Sequence, residues 1–137
     1  MPEQQLFEYA VIRIVPRVER EEFLNIGLIL YCRDMQFLDT MFTIDEERLR
    51  AFAGYVDMDE LKEHLCAFEK ISRGDITAGE IAKLDIASRF RWLTAARSTI
   101  LQTSKVHPGL CDDPAKTLHK LYGELVLQPA DDTPSAP

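Results

Sequence analysis

Three runs near the start of the chain place apolar residues with the period of a β-strand. Tyr9, Val11, Arg13 and Val15 alternate with Ala10, Ile12 and Ile14, which predicts a strand over residues 6–15. Both of its faces are largely apolar, so the strand is expected at the centre of a sheet, covered on both sides. Pro16 ends it, having no N–H to give to the ladder. Beyond a charged connection, Phe23, Leu24, Ile26, Leu28, Ile29, Leu30 and Tyr31 predict a second strand over 22–32. Phe37, Leu38, Thr40, Met41 and Phe42 predict a third over 37–43. The links are too short for parallel crossovers, so the pairing is expected to be antiparallel.

The period then changes. Asp45 or Thr43 can cap a helix over 45–53 that carries Leu49, Phe52 and Ala53 and stops at Gly54. Asp57, with Glu60 three residues on, opens a helix over 57–72. Its apolar stripe is Leu61, Leu65, Phe68 and Ile71, and it ends near Arg73 and Gly74. Residues 75–88 are mixed, with a short helical turn expected between Ala78 and Leu84. Thr99, Leu101 and Thr103 alternate with Ile100, Gln102 and Ser104, predicting a fourth strand over 98–105 that His107, Pro108 and Gly109 break. Asp113 followed by Pro114 starts a helix over 114–127 with Leu118, Leu121, Tyr122 and Leu125 on one face. The expected fold is α+β: an antiparallel sheet of about four strands, one face mostly buried under helices. Residues 1–127 read as a single globular domain, and 128–137, with three prolines and two adjacent aspartates, as a disordered tail.

Charge changes the picture in one place. The chain of 137 residues has 16 basic and 23 acidic side chains, a net charge of −7. That balance argues against a duplex nucleic-acid binder, which needs a basic footprint. Yet residues 89–107 hold Arg89, Arg91, Arg97 and Lys105 and no acid. No apolar run approaches the roughly 20 residues that span a bilayer. The N-terminus lacks the pattern of a secretion signal, so a cytoplasmic location is expected, with Cys32, Cys66 and Cys111 as reduced thiols.

Two clusters are candidates for a site. Arg13, Glu22 and Asn25 flank the first short loop and are expected side by side at one sheet end. A charge-assisted Arg–carboxylate pair there either locks the loop or leaves a place for a carboxylate, a phosphate or a peptide backbone. Gly27, inside a strand, marks a bulge or a close approach. The second cluster is Arg89, Arg91 and Arg97 with Trp92, a combination that holds phosphate or stacks on a base, or else pairs with the surplus acids around a core tryptophan. Gln102 and Ser104 can add hydrogen bonds to it. His64 with Cys66, and His107 with Cys111, are too scattered for structural zinc. No Gly-rich phosphate loop or nucleophile elbow is present, and no cofactor is expected.

Arg13 and Pro16 at the end of the first strand, then Glu22, Phe23, Asn25, Ile26, Gly27 and Leu30, resemble the bacterial domain-of-unknown-function family 3037. Trp92, Leu93, Arg97, Gln102 and Ser104, then Asp113, Pro114, Leu118 and Leu121, extend the resemblance over roughly residues 6–127. The resemblance implies no assigned catalytic residue and a stand-alone accessory protein, with a HipA-like kinase as the implied partner. The leading expectation is therefore a non-enzymatic protein that docks a protein partner. The alternative is an enzyme or ligand-binding domain for a small phosphate- or carboxylate-bearing molecule, with Arg13, Arg97, Gln102 and Ser104 converging on it. A homo-oligomer paired through an exposed strand edge is the third.

Overall fold

The computed structural model describes residues 4–54, 56–95 and 100–127. Strand β1 runs Gln5–Ile14, β2 Leu24–Cys32 and β3 Phe37–Phe42, followed by helices α1 (Glu46–Phe52), α2 (Met58–Arg73) and α3 (Ile86–Leu93). Two short strands, β4 (Leu101–Thr103) and β5 (His107–Cys111), precede helix α4 (Pro114–Leu125). All strands pair antiparallel, in the order β3-β2-β1, with β4 and β5 both on the outer side of β1. The expected tail at 128–137 lies outside the described residues, as do Ser98 and Thr99 of the expected fourth strand.

β1 is central, as its two apolar faces require. Ala10, Ile12 and Ile14 pack under Leu49, Leu61, Leu65, Phe68, Phe90 and Leu93 from α1, α2 and α3. Phe7 and Val11 pack with Leu28, Leu30 and Cys32 under Leu118 and Tyr122 of α4. Helices therefore cover both faces of the sheet, three on one and one on the other, rather than mainly one face. Asp45, Asp57 and Asp113 are N-caps whose carboxylates accept from backbone N–H groups of the first turn. Gly74 ends α2 at φ +75, the left-handed geometry that glycine adopts without strain.

Two elements differ from expectation. Residues 86–93 form α3, capped by Asp85, starting inside the segment 75–88 expected to be mixed and running on where no element was expected. Ile86, Phe90 and Leu93 lie on one helical face, and the last two are buried. The expected strand over 98–105 is shorter, and the chain pairs again with β1 as β5, through the residues expected to break it. Pro108 is tolerated because β5 is an edge strand, where an outward-facing nitrogen costs no ladder bond. A Cβ on Gly109 would stand 2.5 Å from Cζ of Phe7, so only glycine lets that ring lie flat on the strand.

Between β4 and β5 the register shifts by one residue, from Ile12 opposite Thr103 to Tyr9 opposite His107. The Ser104 N–H bonds the Val11 carbonyl at 2.8 Å. The Ser104 Oγ accepts the Val11 N–H at 2.9 Å, standing in for a missing backbone carbonyl. A second bulge sits in β2, where the register moves from Ile12–Gly27 to Arg13–Asn25. There a Cβ on Gly27 would lie 2.8 Å from the Met41 carbonyl oxygen and 2.9 Å from Cβ of Phe42, so Gly27 serves both bulge and close approach. At the opposite sheet edge, Asp39 Oδ1 accepts the Thr40 N–H at 2.8 Å and blunts β3 against strand addition.

Candidate functional site

Arg13 stands near the end of β1, opposite Asn25 of β2 on one side and Gln102 of β4 on the other. Directly opposed residues of antiparallel strands share a face, so the three make one polar row across three strands. The face is the one covered by α4, since Asn25 Nδ2 donates to the Leu125 carbonyl at 3.1 Å, at the C-terminal end of that helix. All three side chains are half-buried.

The Arg13 guanidinium carbon lies 3.9 Å from the ring centroid of Phe23, a cation–π contact. Phe23 directly precedes β2 and is 47% exposed, one of the most open aromatic side chains among the described residues. Arg13 Nε is buried with no acceptor, and Asn25 Oδ1 is buried with no donor. Rotating the Asn25 amide does not repair this, because it would set Oδ1 against the Leu125 carbonyl. Burial lowers the Arg13 pKa from its ordinary range, the direction expected of a cation losing water without gaining an anion. Among the described residues no carboxylate forms an ion pair with Arg13.

Glu22 is not that partner. It is exposed and takes Arg20 instead, with the Arg20 Nη2 at 2.7 Å and Nε at 2.8 Å. The loop reaches this geometry through Glu21 at φ 55, a left-handed conformation that a residue with a Cβ adopts at a cost. Beside the loop is a cleft of about 290 Å³, lined by Pro16, Arg17, Arg20, Glu22 and Phe52.

The remaining candidates are placed elsewhere. Ser104 has both hydroxyl roles occupied, accepting from Val11 and donating to the Lys105 carbonyl at 2.9 Å. Arg97 lies outside the described residues. Arg89 donates to the Leu84 carbonyl through Nε at 2.9 Å, and through Nη1 to the Ile71 and Ser72 carbonyls at 3.0 Å each. It thereby closes the C-terminal end of α2, where a cation also meets the negative end of the helix dipole. Arg91 pairs with Glu8 at 2.8 Å, and that hydrogen bond raises its pKa. Trp92 is 40% exposed on α3, away from the Arg13 row.

Among the described residues, the sheet end bearing Arg13 thus offers a cation, an aromatic surface and amide groups. Among the described residues no three His, Cys, Asp or Glu side chains gather as metal ligands. None of the helices described is long and apolar enough to cross a membrane. Phe23 was read from sequence as a strand residue and as part of the family resemblance but not as a site residue; its position at the start of the apolar run, next to the polar loop, is the signal that marks it. No curated protein and no solved structure matched the chain. The model of the family described as "Protein of unknown function (DUF3037)" matches residues 9–126, nearly the whole of the described chain, and the protein belongs to that family.

Proposed function

We propose that the protein is a non-enzymatic accessory protein that docks a protein partner at the Arg13 end of its sheet. The observation carrying this reading is the Arg13 guanidinium, desolvated and without a counter-ion among the described residues, under a half-exposed Phe23 ring. Leaving a partly buried cation with a buried, unpaired Nε–H costs free energy that an incoming partner group recovers. Aromatic residues, phenylalanine among them, and arginine are enriched at the cores of protein interfaces. A kinase-like protein of the type the resemblance implies is the first bait.

A photo-crosslinking phenylalanine analogue at position 23 tests it, with the same group at the exposed Lys116, at the other end of α4, as control. The expected result is one partner captured from position 23 and not from 116. Equal capture from both sites, or none from either, removes the reading.

The second reading is a small anionic ligand. The cleft of about 290 Å³ beside Pro16, Arg17 and Arg20 favours it, since it lies within the size range of a small-molecule site. Co-purified small molecules released on denaturation and identified by mass spectrometry separate it from the first.

A further inference from the structure

We propose that the Arg13 site takes a side-chain carboxylate carried on an extended peptide segment, an Asp or Glu residue of the partner. The inference deepens the docking reading and rests on it.

The chemistry of the row selects the ligand. Arg13 Nε is an unpaired donor and Asn25 Oδ1 an unpaired acceptor, one strand apart. Opposed residues in an antiparallel pair set their Cβ atoms about 5 Å apart, within reach of a single amino-acid residue laid across them. A single Asp or Glu offers both complements over that span: a carboxylate for the guanidinium and a backbone N–H for the amide oxygen. Guanidinium and carboxylate match in planar, two-bond geometry, and a neutral amide cannot supply the charge that Arg13 lacks.

A phosphate is a poorer fit. It brings up to two negative charges to one arginine. Its oxygens would face Asn25 Oδ1 and the Leu125 carbonyl, both negative and the latter at the negative end of the α4 dipole. Phe23 is the side chain that shifts to admit the peptide, since its ring covers the guanidinium and is itself half exposed. In the complex the ring lies along the aliphatic part of the acidic side chain.

The test uses the intact protein and small probes. N-acetyl-aspartate N-methylamide and its glutamate homologue are titrated while the Arg13 Nε–H and Asn25 Nδ2–H₂ resonances are followed by NMR. N-acetyl-asparagine N-methylamide and inorganic phosphate, at matched ionic strength, are the comparisons. The expected result is saturable movement of both resonances with the acidic probes, at least tenfold weaker with the asparagine probe and with phosphate. Arg13→Lys, which keeps the charge but loses the fork, is expected to weaken the acidic probes by at least tenfold while the remaining spectrum stays that of the folded protein. Equal response to the aspartate and asparagine probes, or a stronger response to phosphate, overturns the carboxylate assignment. A partner crosslinked at Phe23 with no response to the acidic probes overturns this inference and leaves docking standing. Probe binding without any crosslinked partner supports the carboxylate site and removes the docking reading.

Discussion

Arg89 and Arg13 are both half-buried arginines at the margin of the fold, and their donors meet opposite fates. Arg89 is spent on three backbone carbonyls and closes the end of α2. Arg13 sits on a ring, with its Nε facing no acceptor. In sequence both regions are candidates, the Arg89 region because three arginines and the lone tryptophan fall close together there. Proximity in sequence says only that cations are available; the positions of acceptors decide which cation is left over.

The sharpest way to break the comparison is to remove each arginine and read stability. Arg89→Ala strands the last carbonyls of α2 and is expected to cost about 3 kcal/mol, seen as a lower urea midpoint. A loss below 1 kcal/mol would mean those carbonyls are served equally well by water. Arg13→Leu should do the reverse, leaving stability unchanged or raising it by up to about 1 kcal/mol, since it replaces a half-buried cation whose Nε–H is unpaired with an apolar group. It should also abolish capture at Phe23. A clear destabilisation by Arg13→Leu would move Arg13 into the structural class beside Arg89. Arg91→Gln removes an exposed pair with Glu8 and should cost under about 1 kcal/mol. The smallest effects are those of pH. Hydrogen bonds from the hydroxyls of Thr77 and Ser88 hold the Asp75 and Asp85 carboxyls below their ordinary pKa values. A depressed folded pKa gives stability that is present at neutral pH and lost as pH falls through that value. Thermal midpoints from pH 7 down to pH 3 should therefore decline, and Asp85→Asn should flatten part of the decline.

Much of the fold was legible. β1, β2 and β3 announce themselves because their apolar runs have the strand period and short links. α2 and α4 do so because a capping aspartate precedes an apolar stripe at helical spacing. α3 went unread because its start falls in the mixed segment 75–88 and its remainder shows arginines and a tryptophan before any clear stripe, although Asp85, Ile86, Phe90 and Leu93 hold the helical signal. β5 was hidden because proline and glycine read as breakers wherever they occur. Only the three-dimensional placement shows Pro108 on an edge strand and Gly109 under the Phe7 ring.

Of the site, the adjacency of Arg13 and Asn25 followed from the short loop between their strands. The bond between Glu22 and Arg20 did not, because it depends on the left-handed turn at Glu21, which no residue type there announces. Nor did the role of Ser104, since a hydroxyl filling a gap in a ladder looks in sequence like a hydroxyl free to bind.

The break at Ser104 divides the outer strand into a three-residue piece and a five-residue piece, zipped separately onto β1. Backbone amides of Leu101–Thr103 can then exchange with solvent by an opening that leaves His107–Cys111 closed. Gln102 rides on the shorter piece, which three registered pairs and a bond from the Val15 N–H to the Ile100 carbonyl hold among the described residues. Hydrogen–deuterium exchange should find the two segments with distinct protection, the shorter one opening first. A ligand seated at the Arg13 row should therefore raise protection at Leu101–Thr103 more than at His107–Cys111.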